Sequence, residues 1–122
     1  SRIENRAGEP AANPYLFIAS QIAAGLDGIE RGLALQNADD APYESDKALL
    51  PGSLGDGLAA LADSALFRDR FGDLFIDYYL QLKHVELDRY LQYCDDNGID
   101  ADDGAHINGV TAWEQDEYYD FF

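Results

Sequence analysis

The chain has 122 residues, 47% of them hydrophobic, which is enough for one compact domain and too few for two. Its formal net charge of -16, from 24 acidic and 8 basic residues, opposes binding to nucleic acid or to an anionic membrane, because both require basic patches. The longest apolar run, Tyr15 to Ala24, is interrupted by Ser20 and Gln21 and is shorter than the ~20 residues needed to cross a bilayer. The single cysteine, Cys94, cannot form an internal disulfide and fits a reducing compartment, so we expect a cytoplasmic protein.

The first segment of the chain, Arg2-Ile3-Glu4-Asn5-Arg6, alternates charged side chains with others. If it forms a β-strand, Arg2, Glu4 and Arg6 project from one face at a spacing of roughly 6 to 7 Å. Guanidinium groups bind phosphate or carboxylate oxygens bidentately, and a carboxylate between them can bind a hard cation. The same alternation also occurs on the solvent face of an edge strand, and the five residues alone leave both interpretations open.

A helix start follows at Asn13-Pro14, with asparagine as the N-cap and proline at the first helical position. We expect this helix to run to about Leu33. Apolar residues cover most of its circumference, which predicts burial on several sides. Its glycines lie close to one stripe and predict the close approach of another segment: Gly25, Gly28 and Gly32.

Three further helices are predicted. Ser53, with an aspartate three residues later, resembles a capping box that opens a short helix. A second short helix runs from Ser64 to Phe71 and ends at the glycine that follows. Asp73 can then cap a long helix from Leu74 to about Cys94, whose apolar residues form two stripes and predict packing against two surfaces. The predicted fold class is therefore mainly α, with about four helices and one N-terminal β-strand.

The remaining residues are first acidic and then aromatic. Residues 95–109 are rich in aspartate, but neither Gly98 nor Gly104 places an oxygen ligand at the first position of a calcium loop, so we expect an acidic flexible insertion. Residues 110–122 concentrate aromatic side chains and are predicted to dock on another surface. On the long helix, we interpret His84 and its neighbouring carboxylates as a solvated face rather than a metal site.

The charged segment 2–6, a short turn containing Gly and Pro, and the helix start Asn13-Pro14-Tyr15-Leu16 together resemble the C-terminal part of the glutamine synthetase catalytic domain. The resemblance is dense over residues 2–33 and looser over residues 34–91. It implies that residues 1–122 are the C-terminal fragment of an α+β catalytic domain. The chain also begins with serine directly at the charged segment, and we expect it to be cut from a longer protein.

The resemblance implies roles for four residues. Glu4 would be a ligand of a catalytic Mg or Mn ion, Arg6 would act as a catalytic residue that contacts the reacting carboxylate of the substrate, and Arg2 would contact ATP phosphates. In some bacterial members a loop tyrosine is modified by adenylylation, and Tyr43, in the predicted irregular loop over residues 34–52, falls near that place. The residues around Tyr43 match the family poorly, and an ordinary exposed loop tyrosine is the alternative.

The resemblance also implies an ATP-dependent ligase of nitrogen metabolism that joins glutamate to ammonia or an amine through an acyl phosphate. The end of the chain is closer to glutamine synthetase-like ligases that use polyamines or other amines, so the amine stays open. Family members assemble into stacked rings, which implies a homo-oligomer for the parent protein. Because one carboxylate cannot build a multi-metal site, we expect the 122-residue chain alone to be inactive. The alternative is a non-catalytic helical module for protein interaction, which the acidic surface and the aromatic tail favour.

Overall fold

The computed structural model describes residues 4–5, 8, 12–35, 48–101 and 111–119. Within these residues the chain forms five α-helices and no β-strand, which confirms the mainly helical fold. The helices are α1 (Pro14–Glu30), α2 (Leu54–Ala62), α3 (Ala65–Phe71), α4 (Asp73–Asn97) and α5 (Ala112–Tyr118). The predicted N-terminal strand is not confirmed, because Glu4 and Asn5 belong to no strand, and Arg2, Ile3 and Arg6 lie outside the described residues.

Short polar side chains begin the helices as the sequence predicts. The Asn13 side chain accepts hydrogen bonds from the backbone N–H groups of Tyr15 and Leu16, at 3.0 and 3.2 Å. Ser53 and Ser64 cap α2 and α3 in the same way. These caps satisfy backbone donors that have no partner inside the helix. The predicted starts of α1, α2 and α3 are therefore confirmed.

The helix α5 lies within the predicted aromatic tail and was not predicted as a helix. It begins with a complete capping box, in which the Glu114 N–H donates to Thr111 Oγ1 at 3.2 Å and the Thr111 N–H donates to Glu114 Oε2 at 2.7 Å. This reciprocal pair satisfies two donors at once. The sequence pattern of Thr followed three residues later by Glu is the signal that predicts this helix.

Two glycines in the left-handed conformation end the longest helices. Gly32, with a φ of 60°, follows α1, and the Leu33 N–H donates to the Gly28 carbonyl at 2.9 Å. The prediction that α1 runs to Leu33 is therefore wrong by three residues, because Gly32 ends the helix instead of belonging to it. Gly98, with a φ of 65°, ends α4 at Asn97, so this helix includes the first three residues of the predicted acidic insertion.

The corner between α3 and α4 is closed by a glycine and an arginine. Gly72 has a φ of 84° and is the N-cap of α4, so the prediction of Asp73 as the cap is wrong. Asp73 instead accepts a hydrogen bond from Arg68 Nη1 at 3.1 Å, and Asp77 accepts one from the same nitrogen at 2.9 Å. Arg68 Nε donates to the Ala62 carbonyl at 3.0 Å. This one guanidinium group therefore joins the end of α2, α3 and the first two turns of α4.

The core lies between α2 and α4. Leu58, Ile76 and Leu80 are its buried residues, and the partly buried side chains packed around them are Leu61, Ala62, Phe67, Phe71 and Leu87. The helix α1 packs on α3 and is joined to it by an ion pair between Arg70 and Glu30. Non-polar burial of this kind is the main stabilising contribution in a small helical domain.

Burial of α1 on several sides is not observed. Ala23 is the only buried residue of α1, which is described along its whole length, and Ile22 and Ile29 are 58% and 77% exposed. The apolar pattern predicted that these side chains need cover, but the helices described here contact α1 on one side. No helix in the described part of the chain is long and apolar enough to cross a membrane.

Candidate functional site

Two described residues in and just after the predicted site segment, Asn5 and Gly8, lie alongside the N-terminal half of α1. Asn5 Nδ2 donates to Gln21 Oε1 at 2.9 Å. A Cβ atom placed on Gly8 would lie 3.2 Å from Cζ of Phe17, so the backbone at Gly8 lies against this ring. Phe17 and Gln21 are four residues apart and share one face of α1. Asn5 and Gly8 therefore contact the same face of α1, and Gly8 lies nearer the start of the helix.

Glu4 precedes the hydrogen-bonded Asn5 and is exposed. A carboxylate is the oxygen donor that Mg and Mn prefer, so the residue type fits the predicted metal. One carboxylate does not complete a site, and no cluster of three or more His, Cys, Asp or Glu side chains is placed to hold a metal among the residues that the structure describes. Arg2 and Arg6, the other two members of the predicted site, lie outside those residues, and so does Tyr43.

A cleft of about 220 Å³ lies next to this segment, between α1, α3 and α4. Its aromatic wall is a row of rings with centroids 5.9 to 6.2 Å apart, formed by Phe67, Phe71, Phe75 and Tyr79. Phe17 lines the opposite side, so the same ring contacts Gly8 and the cleft.

Two of the polar side chains at this cleft are already used within α1. Asn13 caps the helix, and Ser20 Oγ donates to the Phe17 carbonyl at 2.7 Å. Among the described lining residues, what remains available to a ligand is the apolar and aromatic surface together with the Tyr79 hydroxyl. This lining suits an aromatic or aliphatic group.

A second cleft, of about 260 Å³, lies where α5 docks on the C-terminal half of α4. The Tyr118 hydroxyl donates to Glu86, whose other oxygen accepts from Lys83 Nζ at 2.7 Å. Trp113 lies against Tyr90, with ring centroids 5.3 Å apart. An ion pair between Arg89 of α4 and Glu117 of α5 adds to these contacts. Trp113 and Tyr118 thus dock on α4 within the chain, whereas Tyr119 is exposed.

The phenol of Tyr90 at this cleft is held in its neutral form. Burial raises the pKa of Tyr90 to about 12, and the neighbouring Cys94 thiol adds to the shift. The Tyr90 hydroxyl is buried, and the described groups around it provide no hydrogen-bond partner of ordinary geometry. Cys94 itself is only 2% exposed. A neutral phenol and a buried thiol are poor nucleophiles, so this cleft has the character of a packing surface.

His84, which the sequence analysis interprets as part of a solvated face rather than a metal site, is hydrogen-bonded within its own helix. Its Nδ1 donates to the Leu80 carbonyl at 2.7 Å. Glu86 is committed to Lys83 and Tyr118. Two contacts at the predicted site were not predicted: Asn5 with Gln21, and Gly8 with Phe17. These residues are far apart along the chain, and no local sequence pattern indicates such contacts.

Comparison with known proteins places these features in a family. Residues 1–101 match the family described as "Glutamine synthetase, catalytic domain". The chain is 49% identical over 120 residues to gamma-glutamylanilide synthase of Acinetobacter sp, an alignment that covers 98% of this chain and 23% of that protein. It is 32% identical over 128 residues to glutamine synthetase of Pyrococcus furiosus, covering 98% of this chain and 28% of that protein.

A third relative is lengsin of Homo sapiens, with 37% identity over 91 residues, which covers 72% of this chain and 18% of that protein. The chain spans about a quarter of the length of the first two relatives. No solved structure matches the chain.

Proposed function

The chain belongs to the glutamine synthetase family, and from this premise we propose that it is the C-terminal part of an ATP-dependent ligase that joins glutamate to an amine. The observation that carries the proposal is the family match over residues 1–101, together with 49% identity to a synthase of a gamma-glutamyl amide. The exposed carboxylate of Glu4, in a segment held alongside α1, supports it.

The proposed reaction has two steps. The γ-phosphoryl group of ATP passes to a side-chain oxygen of glutamate, which gives an acyl phosphate and ADP. The amine nitrogen then attacks the acyl carbon, the bond from that carbon to the phosphate oxygen breaks, and the nitrogen loses a proton. Transfers of this kind depend on fixed positive charge around the moving phosphoryl group.

We assign three residues to this chemistry. Arg2 contacts the ATP phosphates, Arg6 contacts the carboxylate of glutamate, and Glu4 is a ligand of a Mg or Mn ion. The bound ion would neutralise phosphate oxygens during the transfer. A guanidinium group suits the two anionic substrates because it donates two parallel hydrogen bonds to one carboxylate or phosphate.

For the amine, we propose an aromatic amine in preference to ammonia. The chain is 49% identical to gamma-glutamylanilide synthase but 32% identical to glutamine synthetase, over nearly the same residues. Comparing kcat/KM for aniline and for ammonium in the parent protein tests this. A value for ammonium equal to or above that for aniline would contradict the proposal.

The proposed role of Glu4 is tested by Glu4→Ala in the parent protein. We expect kcat to fall about 100-fold or more with little loss of stability, because Glu4 is exposed and its removal opens no cavity. Asp88→Ala is the matched control, since Asp88 is another exposed carboxylate, on α4. Unchanged activity in Glu4→Ala would contradict the metal role proposed for Glu4, and a parent without ligase activity would favour the non-catalytic interaction module.

Further parts of the proposal concern the whole protein. We propose that it is a cytoplasmic homo-oligomer built as stacked rings and that Tyr43 is a modification site. The isolated 122-residue chain is expected to be inactive, and amide formation from glutamate by this chain alone, dependent on ATP and metal, would refute this. The intact mass in the native source tests whether this chain is part of a longer protein, because a mass near 13.5 kDa would mean that the cell makes this chain alone.

A further inference from the structure

We infer that the exposed apolar stripe of α1 packs against the part of the parent catalytic domain that lies outside this chain. The inference rests on the proposed function to the extent that this chain is one part of a longer ligase. It concerns an interaction surface of α1, and it does not depend on which amine is the substrate.

The stripe is a continuous row of apolar side chains. At helical spacing of three and four residues, α1 exposes Tyr15, Ile18, Ile22, Leu26 and Ile29. Residues at this spacing share one face of a helix. A contiguous apolar face of this size on a described helix indicates an interaction site, because monomeric proteins rarely leave such faces in water.

A second side of α1, apart from the stripe, is also apolar. Ala23 is buried, and Leu16 and Phe17 line the cleft toward α3 and α4. The apolar stripe is additional to this packed side, so the helix is apolar around most of its circumference. A helix with this pattern is typical of the interior of a larger domain, whereas a dimer seam requires one apolar stripe.

A membrane surface is a poor occupant for this stripe. Helices that lie on membranes carry Lys or Arg on their polar face, and the sequence of α1 contains neither. The net charge of -16 also opposes contact with anionic lipids.

The length of the relatives supports this choice of occupant. The chain covers 23% and 28% of the gamma-glutamylanilide synthase and glutamine synthetase that it matches, so about three quarters of each relative lies elsewhere. The family match includes all of α1 within residues 1–101 of a catalytic domain. If the parent protein has a similar length, about three quarters of it is available to cover the stripe.

Thiol labelling in the full-length parent protein tests the inference. We expect the thiol of an Ile22→Cys variant to react with a maleimide at least 100-fold more slowly in the folded parent than after denaturation. Asp88→Cys is the control, because Asp88 is an exposed residue of α4 outside the stripe, and we expect its thiol to react within about tenfold of the denatured rate. Peptide mass spectrometry reads each site separately.

Cross-linking then identifies what covers the stripe. The parent protein is produced with a diazirine amino acid at position 22, once with ¹⁴N and once with ¹⁵N. The two preparations are mixed, and their subunits are allowed to exchange before cross-linking. We expect cross-links to peptides outside residues 1–122, each pair carrying a single isotope. Pairs of mixed isotope would identify a second copy as the occupant, and cross-links within residues 1–122 would identify this chain itself, and either result overturns the inference.

The outcomes also separate this inference from the proposed function. Fast labelling of Ile22→Cys in a parent that retains ligase activity overturns the inference alone. A parent in which the stripe is covered but no ligase activity is found overturns the proposed function alone. A native mass near 13.5 kDa removes the upstream occupant and overturns both.

Discussion

Ile76 is the side chain on which the stability of the described helices depends most directly. It is 2% exposed and lies at the centre of the cluster with Leu58 and Leu80. Ile76→Ala deletes the side chain beyond Cβ and leaves a cavity between α2 and α4. For a fully buried isoleucine we expect a loss of about 3 kcal/mol in the free energy of unfolding, and about 1 kcal/mol for Ile76→Val.

Urea unfolding of the 122-residue chain, followed by far-UV circular dichroism, measures this loss. With an m-value of about 1.5 kcal/mol/M, the Ile76→Ala midpoint is expected to fall by about 2 M. Leu74→Ala is the matched control, because Leu74 is in the first turn of the same helix and is 86% exposed. We expect that control to lie within about 0.5 kcal/mol of the original chain. Equal midpoints for Ile76→Ala and Leu74→Ala would refute the assignment of the core.

Three further predictions concern the same chain and the same unfolding assay. Gly25→Ala is expected to stabilise the chain by about 0.5 to 1 kcal/mol, because a Cβ at Gly25 meets nothing within 4 Å. Gly32→Ala is expected to destabilise it by about 1 kcal/mol, because Gly32 has a φ of 60°. Changes of the same sign in the two variants would contradict this. Asn13→Ala is expected to lose about 1 kcal/mol and Asn13→Ser to retain most of it, and equal losses would show that the cap is unimportant. The pKa of Tyr90 is raised to about 12, so the Tyr90 phenol of the unfolded chain loses its proton at a lower pH than that of the folded chain. The free energy of unfolding should therefore fall as the pH rises from about 10 to 12. Tyr90→Phe should show a smaller fall, and an equal fall in both chains would refute the assignment.

Local hydrogen bonding made the helix starts predictable. Asn13, Ser53 and Ser64 each satisfy backbone donors within three residues, so their effect can be recognised without knowing the rest of the fold. The end of α1 was less predictable, because Gly28 and Gly32 look alike in sequence and differ only in backbone conformation. The helix Ala112–Tyr118 was not predicted, because its aromatic residues were interpreted as a docking tail and the capping box of Thr111 and Glu114 was overlooked.

Contacts between distant residues set the limit of prediction. The apolar pattern of α1 predicted burial on several sides, but Ile22 is 58% exposed among the described helices, because burial depends on which neighbours are present. At the candidate site, Glu4 was selected by resemblance and residue type. The hydrogen bond from Asn5 to Gln21 joins residues 16 positions apart and has no local signature in the sequence.

Trp113 gives the docking of α5 an optical signature of its own. It is the single tryptophan of the chain, and its indole lies 5.3 Å from the ring of Tyr90 and 6.5 Å from that of Tyr118. Excitation of these phenols passes to the indole at such short range, and the two fixed rings give it an asymmetric surrounding. Emission and near-ultraviolet dichroism at Trp113 therefore follow the release of α5 from α4 separately from the melting of the helices.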